Sequence, residues 1–180
     1  MKLALLDRDG VVVVNRATNI KTPEEITLID GAAEGISRLN AAGFTVAICT
    51  NQPEVARGAM TPLELQNVHT ALVALLKNRG AVIDQIFSCT TFRKCPTRKP
   101  AGGMLREALA YYGAPADTTP FVGDQADDLK AAFHARCRRI LVTTGLGAKT
   151  LVAGLPHYLQ PFIVCEDLLA ASARIIQMSV

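Results

Sequence analysis

Leu5-Leu6-Asp7-Arg8-Asp9-Gly10-Val11-Val12 decides how the rest of the chain is read. The apolar run from Leu3 to Leu6 has the length of a buried strand and stops abruptly at two carboxylates and a glycine. In open α/β sheets the carboxyl ends of strands carry the chemistry, which puts Asp7 and Asp9 at the rim of a sheet. Side chains alternate along a strand, so residues two apart share a side. Two carboxylates held close repel each other unless a cation lies between them or one keeps its proton. The pair suits a hard, oxygen-seeking ion such as Mg²⁺, with one aspartate left free to attack. Alone, the same residues read equally as an acidic surface turn, so the remainder of the chain decides.

Working outward, Val11–Val14 either extends the strand or opens a hairpin, and the polar stretch from Asn15 to Thr27 forms a flap beside the site. Gly31 to Ala42 is an amphipathic helix with Ala33, Ile36 and Leu39 on one face. A second buried strand, Phe44–Cys49, ends in Thr50-Asn51-Gln52. Thr61-Pro62 with Glu64 carries the cap, first-turn proline and N3 acid of a helix start, and that helix runs to about Arg79. Val82–Ser88 is the third strand, and Cys89–Gly103 a basic loop. There follow a helix over Met104–Tyr112, a strand over Thr119–Val122 running into Gly123-Asp124, and a helix over Ala126–Ala135. Strands at Arg139–Thr143 and Phe162–Cys165 and a helix over Glu166–Gln177 complete the chain, with Gly145 to Thr150 read as a loop. This alternation predicts one α/β domain over residues 1–180, a doubly wound, mostly parallel sheet with helices on both faces and a minimal cap.

Composition bounds the function. The chain has 180 residues, 49% apolar and 19% charged, which is globular rather than disordered. The net charge of +3 is mild and scattered, which fits an enzyme for anionic metabolites and argues against a nucleic-acid partner. No apolar run has the length of a membrane span. Met1-Lys2 leads straight into the first strand, so no signal peptide is expected, and the odd count of five cysteines reads as reduced thiols in a cytoplasm. Monomer and small homo-oligomer are both compatible with these features.

The strand ends supply complementary groups: Asp7 and Asp9 from the first, Thr50 and Asn51 from the second, Arg98 and Lys99 from the basic loop, and Asp124 from the fourth with Asp127 and Asp128 following. Acids alone would suggest a metal store, and cations alone an anion site. The mixture suggests Mg²⁺ and a phosphate held side by side, as phosphoryl transfer requires.

In order along the chain, Asp-x-Asp-Gly-x-Val, strand-Thr-Asn, Lys-Pro before a helix and Gly-Asp-x-x-x-Asp resemble the haloacid dehalogenase superfamily of phosphatases. Thr50-Asn51-Gln52 with Ala56-Arg57-Gly58, and Arg98-Lys99-Pro100, resemble its heptose-bisphosphate phosphatase and histidinol-phosphatase branch. The resemblance implies Asp7 as nucleophile, forming an aspartyl-phosphate, and Asp9 as acid and then base. It implies Mg²⁺ on Asp7, the Asp9 backbone carbonyl and Asp124. It implies Thr50 and Lys99 on the transferring phosphoryl group, with Asp128 supporting. It implies Asn51, Gln52, Arg57, Arg98 and Gln125 as substrate contacts. The implied substrate is a small phosphorylated metabolite such as D-glycero-D-manno-heptose 1,7-bisphosphate. Histidinol phosphate and a non-catalytic phosphate-binding role are the alternatives, and Glu54 is the candidate partner for a substrate amine.

The chain departs from the branch in three places. Of a Cys-x-His…Cys-x-Cys zinc loop it keeps only Cys89 and Cys95. Two sulfurs are too few for a closed tetrahedral site, so no structural zinc is expected. Val11 replaces a threonine, and Pro53-Glu54 replaces Ser-Gly. Cys49, Cys137 and Cys165 read as small buried hydrophobes, Asp127 as a helix N-terminal acid, and His69, His134 and His157 have no assigned role.

Overall fold

The computed structural model describes residues 1–179. Its six strands are β1 (Lys2–Leu6), β2 (Phe44–Asn51), β3 (Gln85–Cys89), β4 (Pro120–Gly123), β5 (Arg138–Val142) and β6 (Ile163–Cys165). They form one parallel sheet in the order β3-β2-β1-β4-β5-β6. The helices are α1 (Ala32–Ala41), α2 (Pro62–Lys77), α3 (Gly103–Tyr112), α4 (Ala126–Ala135), α5 (Gly147–Ala153) and α6 (Leu168–Gln177).

Alternation along the strands sends their side chains into two cores. Ala4, Leu6, Val46, Ile48, Val122, Ile140 and Val142 pack with α1, α2 and α6, and Leu3, Leu5, Ala47, Cys49 and Phe121 with α3 and α4. Both faces of the sheet are therefore covered, which is why the strands read as continuous apolar runs. From β1 the chain builds outward through β2 and β3 on one side. It then crosses to β4, β5 and β6 on the other. The order reverses between β1 and β4, and open α/β sheets bind their ligands in the crevice at that point.

Four expectations are corrected. Val11–Val14 neither extends β1 nor forms a regular hairpin. The chain turns back at Gly10, whose φ is +86° and whose amide donates to Val13 O at 2.7 Å, and Val11, Val12 and Val13 are buried there as a plug. Burial of three branched side chains beneath the turn outweighs their strand preference. Gly145–Thr150 is not all loop: α5 starts at Gly147, a helix too short to show a periodic apolar face in sequence. Cys89 belongs to β3, paired in register with Asn51, and Cys165 is only half-buried. Among the described residues, no helix is long and apolar enough to cross a membrane.

Candidate active site

A cavity of about 470 Å³ opens at the carboxyl edge of the sheet. Its lining includes Asp7 and Asp9 after β1, Thr50 and Asn51 at the end of β2, Arg98 and Lys99 before α3, and Gln125, Asp127 and Asp128 at the start of α4. The flap adds Asn15, Arg16 and Asn19, of which the sequence reading named none individually.

Lys99 is the hub. Its ammonium is buried and lies 2.7 Å from Asp7 Oδ1 and 2.7 Å from Asp128 Oδ1. Burial alone would lower its pKa, but Asp128 and Asp7 outweigh burial and hold the ammonium charged well above its ordinary value. Its backbone is clipped by Asn51, whose Nδ2 donates to Lys99 O at 3.0 Å and whose Oδ1 accepts from Lys99 N at 3.1 Å. Asn51 therefore reaches the site chiefly by fixing Lys99.

Asp7 accepts both Lys99 Nζ and the Arg8 amide, the latter at 2.8 Å, on Oδ1, so Oδ2 is the oxygen available for attack. Burial pushes this carboxyl up to about 8; Lys99 opposes the shift, and Asp128 and Asp9 add to it. Asp128 is committed elsewhere: its second oxygen accepts the Asp124 and Gln125 amides at 3.2 and 3.0 Å.

Asp124 is wholly buried after β4. Its Oδ2 accepts Leu146 N at 2.8 Å and Asn15 Nδ2 at 3.1 Å. A Cβ on Gly10 or Gly145 would collide with that carboxylate, and both glycines have positive φ, so glycine is required where two turns close over it. Asp124 Oδ1 is buried with no partner among the described residues. An orphaned carboxylate oxygen at such a depth calls for a cation. Asp7, Asp124 and Asp128 each offer an oxygen within 4.8 Å of the others. With Asp128 occupied by Lys99 and two amides, Asp7 and Asp124 are the acids that fit a divalent ion. Burial first, then Asp128, raises Asp124 to about 6.

Asp9 is held by a residue the sequence reading passed over. Arg8 is fully buried, and its Nε and Nη2 donate to Asp9 Oδ2 and Oδ1 at 3.1 Å each. Gln52 completes the cradle: its Nε2 donates to Asp9 Oδ2 and to Thr50 Oγ1, both at 2.9 Å. Gln52 was expected to touch substrate, but it does not line the cavity and instead ties Asp9 to Thr50. No periodicity marks a buried arginine between two acids.

Arg57 also lies off the cavity. Its Nη1 is 2.6 Å from Glu54 Oε1, which accepts Asn19 Nδ2 at 2.9 Å as well. Glu54 is thus neutralised, pins the flap to the loop after β2, and does not face the cavity. Arg98 lines the cavity and donates from Nη1 to Thr91 O at 2.8 Å, anchoring the basic loop. In that loop Cys89 Sγ and Cys95 Sγ are 3.7 Å apart, with Thr97 Oγ1 3.4 Å from Cys95 Sγ.

Residues 96–171 match the HAD-hydrolase-like family model. The chain is 39% identical over 180 residues to D-glycero-beta-D-manno-heptose-1,7-bisphosphate 7-phosphatase of Bordetella bronchiseptica, covering 98% of this chain and 99% of that protein. It is 38% identical to the enzyme of the same name from Pseudomonas putida, covering 98% of this chain and 100% of the relative. The crystal structure of the D,D-heptose 1,7-bisphosphate phosphatase from B. bronchiseptica, complexed with magnesium and phosphate, superposes with a TM-score of 0.93, covering 99% of each chain.

Proposed function

The chain belongs to the haloacid dehalogenase-like phosphatases, and from that membership we propose that it is a Mg²⁺-dependent hydrolase of a sugar phosphate, with D-glycero-D-manno-heptose 1,7-bisphosphate as substrate and the 7-phosphate as the group removed. The observation that carries this reading is Lys99 set between Asp7 and Asp128 beside the orphaned oxygen of Asp124. It is a charge arrangement that suits a divalent cation and a phosphate held side by side.

Asp7, Asp124 and the Asp9 backbone carbonyl would hold Mg²⁺, which when bound offsets the carboxylate charge and that of the phosphoryl oxygens. Asp7 Oδ2 attacks phosphorus and the bond to the sugar oxygen breaks, with Asp9 giving its proton to that oxygen. Asp9 then takes a proton from the water that attacks the aspartyl-phosphate, and Asp7 and inorganic phosphate are released. Thr50 and Lys99 face the charge that develops on the phosphoryl group. Arg98 and Arg16 both line the cavity and suit the second phosphate, which a bidentate guanidinium binds well. Gln125 contacts the sugar. Glu54 pairs with Arg57 and does not line the cavity, so it is not placed to meet a histidinol amine. The free thiols suit a reducing compartment, and the proposed location is the cytoplasm.

A panel of phosphomonoesters assayed with Mg²⁺ and with EDTA tests the proposal. Heptose bisphosphate is expected to be hydrolysed fastest, and EDTA to abolish release. Arg98→Ala should raise KM for the bisphosphate at least tenfold while leaving a sugar monophosphate nearly unchanged. Equal, slow release from every ester would overturn the substrate assignment.

Asp124 must be ionised to bind the cation, and burial raises it to about 6. Asp7, the other carboxylate ligand, is raised to about 8, so apparent Mg²⁺ affinity should weaken as pH falls from 8, by up to about tenfold per unit, and more steeply below about 6, where Asp124 protonates as well. Titration calorimetry between pH 5 and 8 measures this; a slope no steeper below pH 6 than above it would remove Asp124 from the metal set.

Arg8 should act only through Asp9. Arg8→Met is expected to lower kcat by about 10²-fold, the scale of general acid catalysis, with KM little changed. In an Asp9→Asn background the same substitution should cost almost nothing further. Additive losses would show that Arg8 is merely structural.

A further inference from the structure

The loop that delivers Arg98 and Lys99 leaves β3 at Cys89 and returns past Cys95, and neither cysteine has a part in the phosphatase mechanism. Their sulfurs are 3.7 Å apart, while Thr97 Oγ1 lies 3.4 Å from Cys95 Sγ and 3.8 Å from Cys89 Sγ. The remaining three cysteines are unpaired, with Cys49 and Cys137 buried. Among the described residues, Cys89 and Cys95 belong to no cluster of three or more histidine, cysteine or acidic side chains that could hold a metal.

We propose that Cys89 and Cys95 form a thiol pair that low-molecular-weight disulfides oxidise to a reversible intramolecular cross-link. The two sulfurs have different environments, and the difference assigns their roles. Cys95 is the more accessible, and the Thr97 hydroxyl, then the Thr97 and Arg98 amides and Cys89, favour its thiolate. Cys89 is buried at the end of β3, and burial favours its thiol. Cys95 thiolate attacks a sulfur of the small disulfide, forms a mixed disulfide and expels one thiolate. Cys89, giving up its proton, then attacks Cys95 Sγ and expels the second thiolate. Two protein thiols and one disulfide thus become one protein disulfide and two small thiols, and no other oxidant is needed.

The cross-link would join the end of β3 to the basic loop. Cys89 O accepts the Gln52 amide at 2.7 Å, Cys89 pairs in register with Asn51, and Asn51 clips the Lys99 backbone. The bond would therefore brace the segment that aims Lys99 and leave the catalytic side chains untouched.

The test is incubation of the full chain with oxidised glutathione, acid quench, alkylation of free thiols in denaturant, and tryptic mass mapping. Trypsin cuts at Arg93 and Lys94, between the two cysteines, so the linked peptides Gly80–Arg93 and Cys95–Arg98 are expected as one species, with Cys49, Cys137 and Cys165 alkylated. Dithiothreitol should restore five free thiols. Cys89→Ser should stop at a glutathione adduct on Cys95, and Cys95→Ser should leave Cys89 unmodified. A stable Cys95 adduct in the wild-type chain, alkylation of both cysteines after oxidation, or stoichiometric zinc on the purified protein would each overturn the proposal.

Discussion

Asp7→Asn is expected to abolish turnover, with a loss on the order of 10⁴-fold or more, because removing a nucleophile removes the whole covalent route. An amide oxygen carries no charge and does not attack phosphorus to give the acyl phosphate. The variant should still fold. The carboxamide keeps the size of the carboxylate it replaces, and Lys99 retains Asp128 at 2.7 Å as its counter-ion. Burial already disfavours the ionised Asp7, so a neutral isostere relieves a desolvation cost while losing an ion pair. Its Tm is accordingly expected within a few degrees of wild type. Phosphate release and thermal melting, measured on the same sample, separate lost chemistry from lost structure. Retention of a substantial fraction of the rate would show that another group attacks phosphorus.

Lys99→Met is expected to damage both activity and stability. The ammonium answers two carboxylates that are themselves almost fully buried. Without it Asp7 and Asp128 face each other uncompensated, and breaking a buried pair costs about 3–5 kcal/mol. Turnover should fall by about 10³-fold, the scale of losing one preorganised electrostatic contact. The pH dependence identifies the cause. In the variant Asp7 loses the ammonium that opposes its burial, so its carboxyl is raised further and the folded state binds more protons than the unfolded one. Stability conferred by such groups grows as pH falls. The Tm deficit in EDTA should therefore shrink between pH 8 and pH 5. A deficit that stays constant would mean that Lys99 matters for the packing of its stem and not for the charge of its ammonium.

The strands and their chemical ends were legible because burial on both faces writes a continuous apolar run, and a run that stops at Asp7, Thr50 or Asp124 stops at the sheet rim. What Gln52, Asn51 and Arg57 hold within the protein was not legible. Each sits beside the site in sequence and has the chemistry of a substrate contact. In the fold, Gln52 turns to Asp9 and Thr50, Asn51 to the Lys99 backbone, and Arg57 to Glu54. Arg8 was invisible for the opposite reason: a charged residue between two acids reads as solvated, yet it is the largest of the fully buried side chains.

Sequence by itself determined the doubly wound sheet and the set of groups brought to its edge, because strand polarity places every carboxyl end on one side whatever the loops do. Only the tertiary structure decided which of those groups meet. Lys99 reaches Asp7 and Asp128 from a loop far along the chain from both. Contacts across such separations depend on register and burial at the β1–β4 crevice, and no local pattern encodes them.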